Sequence, residues 1–186
     1  MLDEFVAKLV AEVEAFRLGR GLEVRTTHGP LVNSAAVDKT DMHVRDALSK
    51  GAILHTGGGK VEDSQGFFYK PTVLSNVPRN AQVAQDETFG PLAPIFSFQT
   101  PEEALKLANG TNVGLAGYFF SRNISRVMQV AKALEVGVIG VNTGLISAAE
   151  SPFGGVKQSG LGREGSKYGL AEYQNIKAVT ISHGSL

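Results

Sequence analysis

Apolar side chains recur at helical spacing at the start of the chain, at Phe5, Val6, Leu9, Val13 and Phe16, with Asp3 placed to cap a helix and Gly19 and Gly21 to end it. Asn33-Ser34 predicts the start of a second helix, with Val37, Val44 and Leu48 on one face and Gly51 as its stop, before an apolar run at 52–56. Strands are predicted at 67–74 and 93–98. Thr100-Pro-Glu-Glu103 then combines a threonine cap, proline at the first helical position and glutamate at the third, which predicts a helix from 101 to about 109, ended by Asn109-Gly110. A strand at 116–120 precedes a helix over 124–136, capped by Asn123 and burying Val127, Met128, Ala131 and Leu134. Gly137 closes that helix before a strand at 138–142. Strand, helix and strand in this alternation imply an α/β fold, a mostly parallel sheet joined by right-handed crossovers with helices packed against it. The last run, Ile176-Lys-Ala-Val-Thr-Ile-Ser182, alternates in part beyond a short helix and is a candidate edge strand.

Composition bounds the function classes. The 186 residues are 42% hydrophobic and 19% charged, with 18 basic against 18 acidic side chains, which fits a globular segment of one domain. A neutral balance without a basic run argues against nucleic acid or an anionic membrane as the main partner. No apolar run approaches the ~20 residues that a membrane span needs, and the first residues carry no signal-peptide pattern. There is no cysteine, so disulfides and thiolate metal sites are excluded. His28, His43, His55 and His183 show no metal spacing and read as surface or packing histidines. Glu102 and Glu103 are accounted for by a helix start, and Glu172 by a solvated face.

Two glycine-rich stretches imitate nucleotide loops. Gly57-Gly-Gly-Lys60 has the lysine of a phosphate loop, but Leu54 stands where the first glycine belongs and Val61 where Ser or Thr belongs. Gly160-Leu-Gly162-Arg-Glu-Gly165 matches GxGxxG, yet that fingerprint requires a preceding strand and a following βαβ unit with an acidic residue ~20 positions on. Lys157-Gln-Ser does not read as a strand, and a stand-alone nucleotide-binding domain rests on this match alone.

Asp86-Glu-Thr-Phe-Gly-Pro-Leu-Ala-Pro94 and Ser151-Pro-Phe-Gly-Gly-Val-Lys-Gln-Ser-Gly-Leu-Gly-Arg-Glu-Gly-Ser-Lys-Tyr-Gly169 carry a more specific signal. Glu-Thr-Phe-Gly-Pro at 87–91 followed by Pro-Phe-Gly-Gly-Val-Lys at 152–157 resembles aldehyde dehydrogenases, in order and in separation. Asn142-Thr-Gly-Leu-Ile-Ser147 and Gly162-Arg-Glu-Gly-Ser-Lys-Tyr-Gly169 are similar to the succinate-semialdehyde branch. The resemblance covers essentially the whole chain. It places Met1 just after the family's catalytic cysteine and one strand, and so implies a C-terminal piece. The thiolate nucleophile, the glutamate general base, the oxyanion-site asparagine and most phosphate and adenosine contacts would then lie outside this sequence.

The resemblance implies roles for four residues, each with a plainer rival. Glu87 would accept hydrogen bonds from the nicotinamide ribose hydroxyls, which suits an acceptor-only carboxylate; its rival is a solvated loop glutamate. Phe89 would touch the nicotinamide end, or is a core aromatic. Phe153 would line the aldehyde tunnel as an apolar wall, or anchors its loop. Ser166 would meet the distal carboxylate of the substrate, or caps a helix.

The activity implied is NAD- or NADP-dependent oxidation of succinate semialdehyde to succinate. The implied path runs through thiolate attack, hydride transfer to the nicotinamide and release of the acid by water that a glutamate activates. This chain would supply the ribose anchor, part of the substrate wall and an assembly strand, with residues 1–170 a partial catalytic domain and 171–186 an oligomerisation segment joining a homo-oligomer. Its partners would be a small aldehyde and its own kind, in the cytoplasm or the mitochondrion. A non-catalytic protein that binds intact family subunits is the alternative of a different class.

Overall fold

The computed structural model describes residues 1–62 and 66–184. The chain forms two compact units, Met1–Phe98 and Gln99–Leu186.

In the first unit, helix α1 spans Leu2–Glu14. Its N-cap is Met1 and not Asp3, which lies with Glu4 in the first turn, where carboxylates complement the helix dipole without capping it. Of its apolar stripe only Val6 is buried, and Phe5 stays 55% exposed. Periodicity names a face but does not supply what covers it. Helix α2, Ser34–Ser49, starts as expected, because the Asn33 side chain accepts the Ala36 N–H at 2.9 Å and satisfies one of the free donors of the first turn.

Strands β1 (Ile53–Thr56), β2 (Thr72–Ser75) and β3 (Leu92–Pro94) form one sheet in that order, antiparallel between β1 and β2 and parallel between β2 and β3. The central strand β2 is buried throughout. The core divides into two clusters. Ala47, Leu74, Val77 and Ala81 make one cluster and Val37, Val44 and Tyr69 the other, so α2 contributes to both. The strand expected from 67 begins only at Thr72, since Pro71 has no N–H to give to a ladder; Tyr69 keeps a single bridge to Lys60.

In the second unit, helix α3 is Pro101–Asn109, where the Thr100 hydroxyl accepts the Glu103 N–H at 3.2 Å and the Glu103 carboxylate accepts the Gln99 N–H at 2.7 Å. Strand β5 (Ala116–Phe119), helix α4 (Ile124–Ala133) and strand β6 (Val138–Val141) form a strand–helix–strand unit with a parallel pair. Asn123 caps α4 through the Arg126 N–H. The helix stops short of 136. The Asn109 side chain donates to the Ala133 carbonyl and accepts the Glu135 N–H, which takes those groups out of the helical pattern, and Leu134 is extended. Val127, Ala131 and Leu134 are half-buried, whereas Met128, expected on the same face, is 65% exposed.

A two-residue pair, β4 (Val113–Gly114) with β7 (Val156–Lys157), is antiparallel. Lys157 therefore does lie in a short strand, contrary to the sequence reading. The glycine run beyond it leads to a bridge between Phe153 and Glu164 and a 3-10 turn at Gly169–Tyr173, with no helix opening on it, so the dinucleotide fingerprint is still unmet. In place of the mostly parallel sheet expected, the described residues form three separate sheets, with β2–β3 and β5–β6 parallel and β1–β2 and β4–β7 antiparallel. Residues 176–182, expected as an edge strand, pair with no strand among the described residues, and Ile176, Val179 and Ile181 are 100%, 73% and 78% exposed. Alternation sets which side chains share a face, and a ladder still needs a second strand.

Candidate functional site

The segment that carries Glu87 and Phe89 is hung along one stripe of α2. Lys50 donates through Nζ to the Asn80 carbonyl at 2.8 Å, and the Asp46 carboxylate accepts the Gln82 N–H at 2.7 Å. Further along, His43 Nδ1 lies 2.6 Å from the Thr88 hydroxyl oxygen, and Gly90 presses so close to Thr40 that a Cβ there would overlap the hydroxyl. The helix therefore runs antiparallel to the segment it holds. Thr88 and Gly90 are half-buried against it, and the alternation of the backbone turns Glu87 and Phe89 outward, both exposed, Phe89 at 77%. Phe89 forms one lip of a hollow of about 450 Å³ that His28, Pro30, Leu31, Tyr69 and Pro91 also line. The core-aromatic alternative for Phe89 does not describe its place.

The electrostatics of this stripe follow from burial and pairing. The Lys50 ammonium, then the Gln82 N–H, hold the Asp46 carboxyl below the usual carboxylate range. Burial, joined by the charge of Lys39, pushes His43 below its ordinary value of 6.5, against the weaker opposite pull of Asp86 and Asp46. An unfolded chain takes up that proton first. The contribution of His43 to folding is therefore fully present above 6.5 and lost as the pH falls from there through its lower folded value.

In the second unit, Phe153 and Ser166 lie on one pair of facing loop segments, although the hollow that Ser166 lines does not include Phe153. Phe153 and Glu164 exchange both backbone hydrogen bonds, at 2.8 and 2.7 Å, and the Ser166 N–H donates to the Ala149 carbonyl at 2.8 Å. Arg163 locks the turn between them, donating from Nη1 to the carbonyls of Gly155, Leu161 and Gly162. Lys157 ties the same region to α3, donating to the carbonyls of Asn109 and Thr111 and pairing with Glu135 at 2.6 Å. Phe153 is half-buried.

Ser166 is not the cap of the following helix. Its hydroxyl accepts the Tyr168 N–H at 3.2 Å, while the 3-10 turn has Tyr168 at its N-cap. Ser166 has φ 51°, in the left-handed region that costs a non-glycine residue on the order of 1 kcal/mol. Ser166 lines a hollow of about 510 Å³ beside Arg163, Glu164, Leu170 and Glu172.

A pattern that describes the aldehyde dehydrogenase family matches residues 1–179. The chain belongs to that family. The mitochondrial succinate-semialdehyde dehydrogenase of Rattus norvegicus is 54% identical over 178 residues, covering 95% of this chain and 34% of that protein. Glutarate-semialdehyde dehydrogenase of Pseudomonas putida is 52% identical over 180 residues, covering 97% and 37% respectively. The crystal structure of succinate-semialdehyde dehydrogenase from Burkholderia pseudomallei superposes with a TM-score of 0.89 at 55% identity, covering 92% of this chain and 36% of that one. The chain spans about a third of the length of the curated relatives it matches.

Similar proteins include an enzyme named for NADP and a crystal structure with NAD bound, and the exposed residues at 87 and 89 are the ones here that could hold such a group. An outward carboxylate beside an outward aromatic, on a loop whose alternate residues are pinned, offers an acceptor for sugar hydroxyls and a flat apolar contact. Sequence reasoning missed His43 and Thr88, which hold that loop. Their signal was the spacing of Thr40, His43, Asp46 and Lys50, a polar stripe inside a helix read only for its apolar face. Among the described residues no group of acidic or histidine side chains could hold a metal ion, and no helix is long and apolar enough to cross a membrane.

Proposed function

We propose that this chain forms part of an NAD(P)-dependent aldehyde dehydrogenase subunit that oxidises succinate semialdehyde to succinate. The observation that carries the reading is the loop at 86–91, pinned through Thr88 and Gly90 so that Glu87 and Phe89 face outward as a pair. Glu87 accepts the hydroxyls of the nicotinamide ribose and Phe89 packs at the nicotinamide end. The bound nicotinamide supplies the hydride acceptor. Phe153 walls the aldehyde tunnel and excludes water. Ser166 orients the far carboxylate of the substrate, a role supported by its left-handed backbone, since such strain persists where the surroundings hold a residue in place. Arg163 is already committed to three carbonyls and shapes the loop instead of binding the carboxylate. The nucleophile comes from elsewhere, because the chain has no cysteine.

Relatives named for both succinate and glutarate semialdehyde support an aldehyde with a terminal carboxylate. In a holoenzyme carrying this sequence, Ser166→Ala should lower kcat/KM for succinate semialdehyde about tenfold more than for butyraldehyde, the cost of one lost hydrogen bond to a charged group. Equal losses for the two aldehydes would reduce Ser166 to the local turn it makes with Tyr168.

Residues 171–186 act as an oligomerisation segment in this proposal, and the compartment is the cytoplasm or the mitochondrion. Exposed Ile176, Val179 and Ile181 support burial against another subunit, since apolar side chains grouped on a surface mark sites of association. Deleting residues 175–186 from such a holoenzyme should lower its mass in sedimentation; an unchanged mass would leave the segment with no part in assembly. The same exposed stretch favours the second reading, in which the chain binds intact family subunits without catalysing.

A further inference from the structure

Thr88 lies between the two side chains assigned to the cofactor, and its hydroxyl is the contact that ties the middle of their loop to the core. The amides of Glu87 and Phe89 have no hydrogen-bond partner among the described residues, and the neighbouring backbone bonds lie outside this stretch, from the Asp86 N–H to Gln82 and from the Leu92 N–H to Gly90. Thr88 meets His43, which is 0% exposed, at 2.6 Å. The other ring nitrogen, Nε2, has no partner among the described residues. A buried polar atom left open is unfavourable, and an unpaired N–H is rarer in folded proteins than an unpaired acceptor. The ring is therefore assigned as the tautomer with its proton on Nδ1, donating to the Thr88 hydroxyl. An apolar residue at this buried position would leave no nitrogen open. What the imidazole adds at this depth is a single directed bond to the centre of the loop.

We propose that His43 and Thr88 are positioning residues for the nicotinamide end of the site, a buried clamp that sets the height and direction of Glu87 and Phe89. The inference rests on the cofactor reading of those two residues. Four contacts graded along α2, from Lys50 at residue 80 to Thr40 at residue 90, bring the segment onto the helix. The His43 contact is the one placed directly beneath the outward pair. Lys39 and Asp46 on the same helix and Asp86 on the facing segment are the charged groups acting on His43, and burial together with Lys39 keeps the ring uncharged near neutrality. Neither residue touches cofactor; both act through the loop.

The test uses a holoenzyme carrying this sequence and pairs each deletion with a conservative partner. Thr88→Val removes the hydroxyl at nearly constant volume and Thr88→Ser keeps it; His43→Leu removes the donor, and His43→Asn presents an amide N–H near the place of Nδ1. Hydrogen exchange of the peptide covering 86–91, the Kd for NAD and NADP, single-turnover hydride transfer and thermal midpoints are measured for all four and for Glu87→Gln. Thr88→Val and His43→Leu should raise exchange in that peptide and weaken cofactor binding or slow hydride transfer about fivefold, the loss of one neutral hydrogen bond, with thermal midpoints close to those of their partners. Thr88→Ser and His43→Asn should recover most of the loss. If Thr88→Val matches Thr88→Ser in exchange, affinity and rate while Glu87→Gln is impaired, the clamp is overturned and the cofactor reading stands. If Thr88→Val loosens the loop and slows transfer while Glu87→Gln behaves as wild type, the clamp is supported and the ribose role of Glu87 falls. Changes in exchange and rate that simply follow a lowered thermal midpoint in all four variants would make His43 a packing residue and overturn the proposal.

Discussion

The 186-residue protein, purified alone, is expected to reduce neither NAD nor NADP in the presence of succinate semialdehyde. The proposed path needs a thiolate to form the hemithioacetal and then the thioester, and the chain contains no cysteine. A serine does not replace it. No serine stands in a G-x-S-x-G elbow, and no histidine lines the hollow beside Ser166 to act as its base. The check is reduced-cofactor absorbance with contaminant-free protein and high cofactor. Turnover that scales with this chain and survives thiol-blocking reagents would sink the proposed division of labour, because it would require a nucleophile among the residues described here.

Glu87→Gln, introduced into a holoenzyme that carries this sequence, should slow single-turnover hydride transfer by roughly 10- to 150-fold, the loss of a charge-assisted hydrogen bond of about 1.5–3 kcal/mol. The effect falls on the chemical step more than on overall affinity. A loosened ribose leaves most of the cofactor held and lets the nicotinamide leave the near-attack geometry. The substitution keeps the size of the side chain and touches nothing in the unit's interior, since Glu87 is exposed and its neighbours Thr88 and Gly90 make the contacts to α2. Stability should accordingly stay at the wild-type level. Unchanged hydride transfer together with unchanged cofactor affinity would return Glu87 to a solvated loop glutamate.

The sequence alone determined what depends on near neighbours in the chain. The caps at Asn33, Thr100 and Asn123 were legible because a cap is a bond between residues three apart, and each is present. The order of elements was legible from periodicity, and the family from the two motifs at 86–94 and 151–169. What lay beyond it was whatever a distant residue decides. Helix α4 ends early because Asn109, far back in the chain, takes its last groups. Met128 and Phe5 stay exposed because a helical stripe does not say which surface, if any, will cover it. The same limit applied to the site. Glu87 and Phe89 could be named from their motif, but that they face outward was decided by α2, whose Thr40 and His43 hold Gly90 and Thr88 inward across more than forty residues of chain. Local spacing shows at most that α2 carries a polar stripe at Thr40, His43, Asp46 and Lys50; which residues that stripe meets is decided by an approach that only the folded chain brings about.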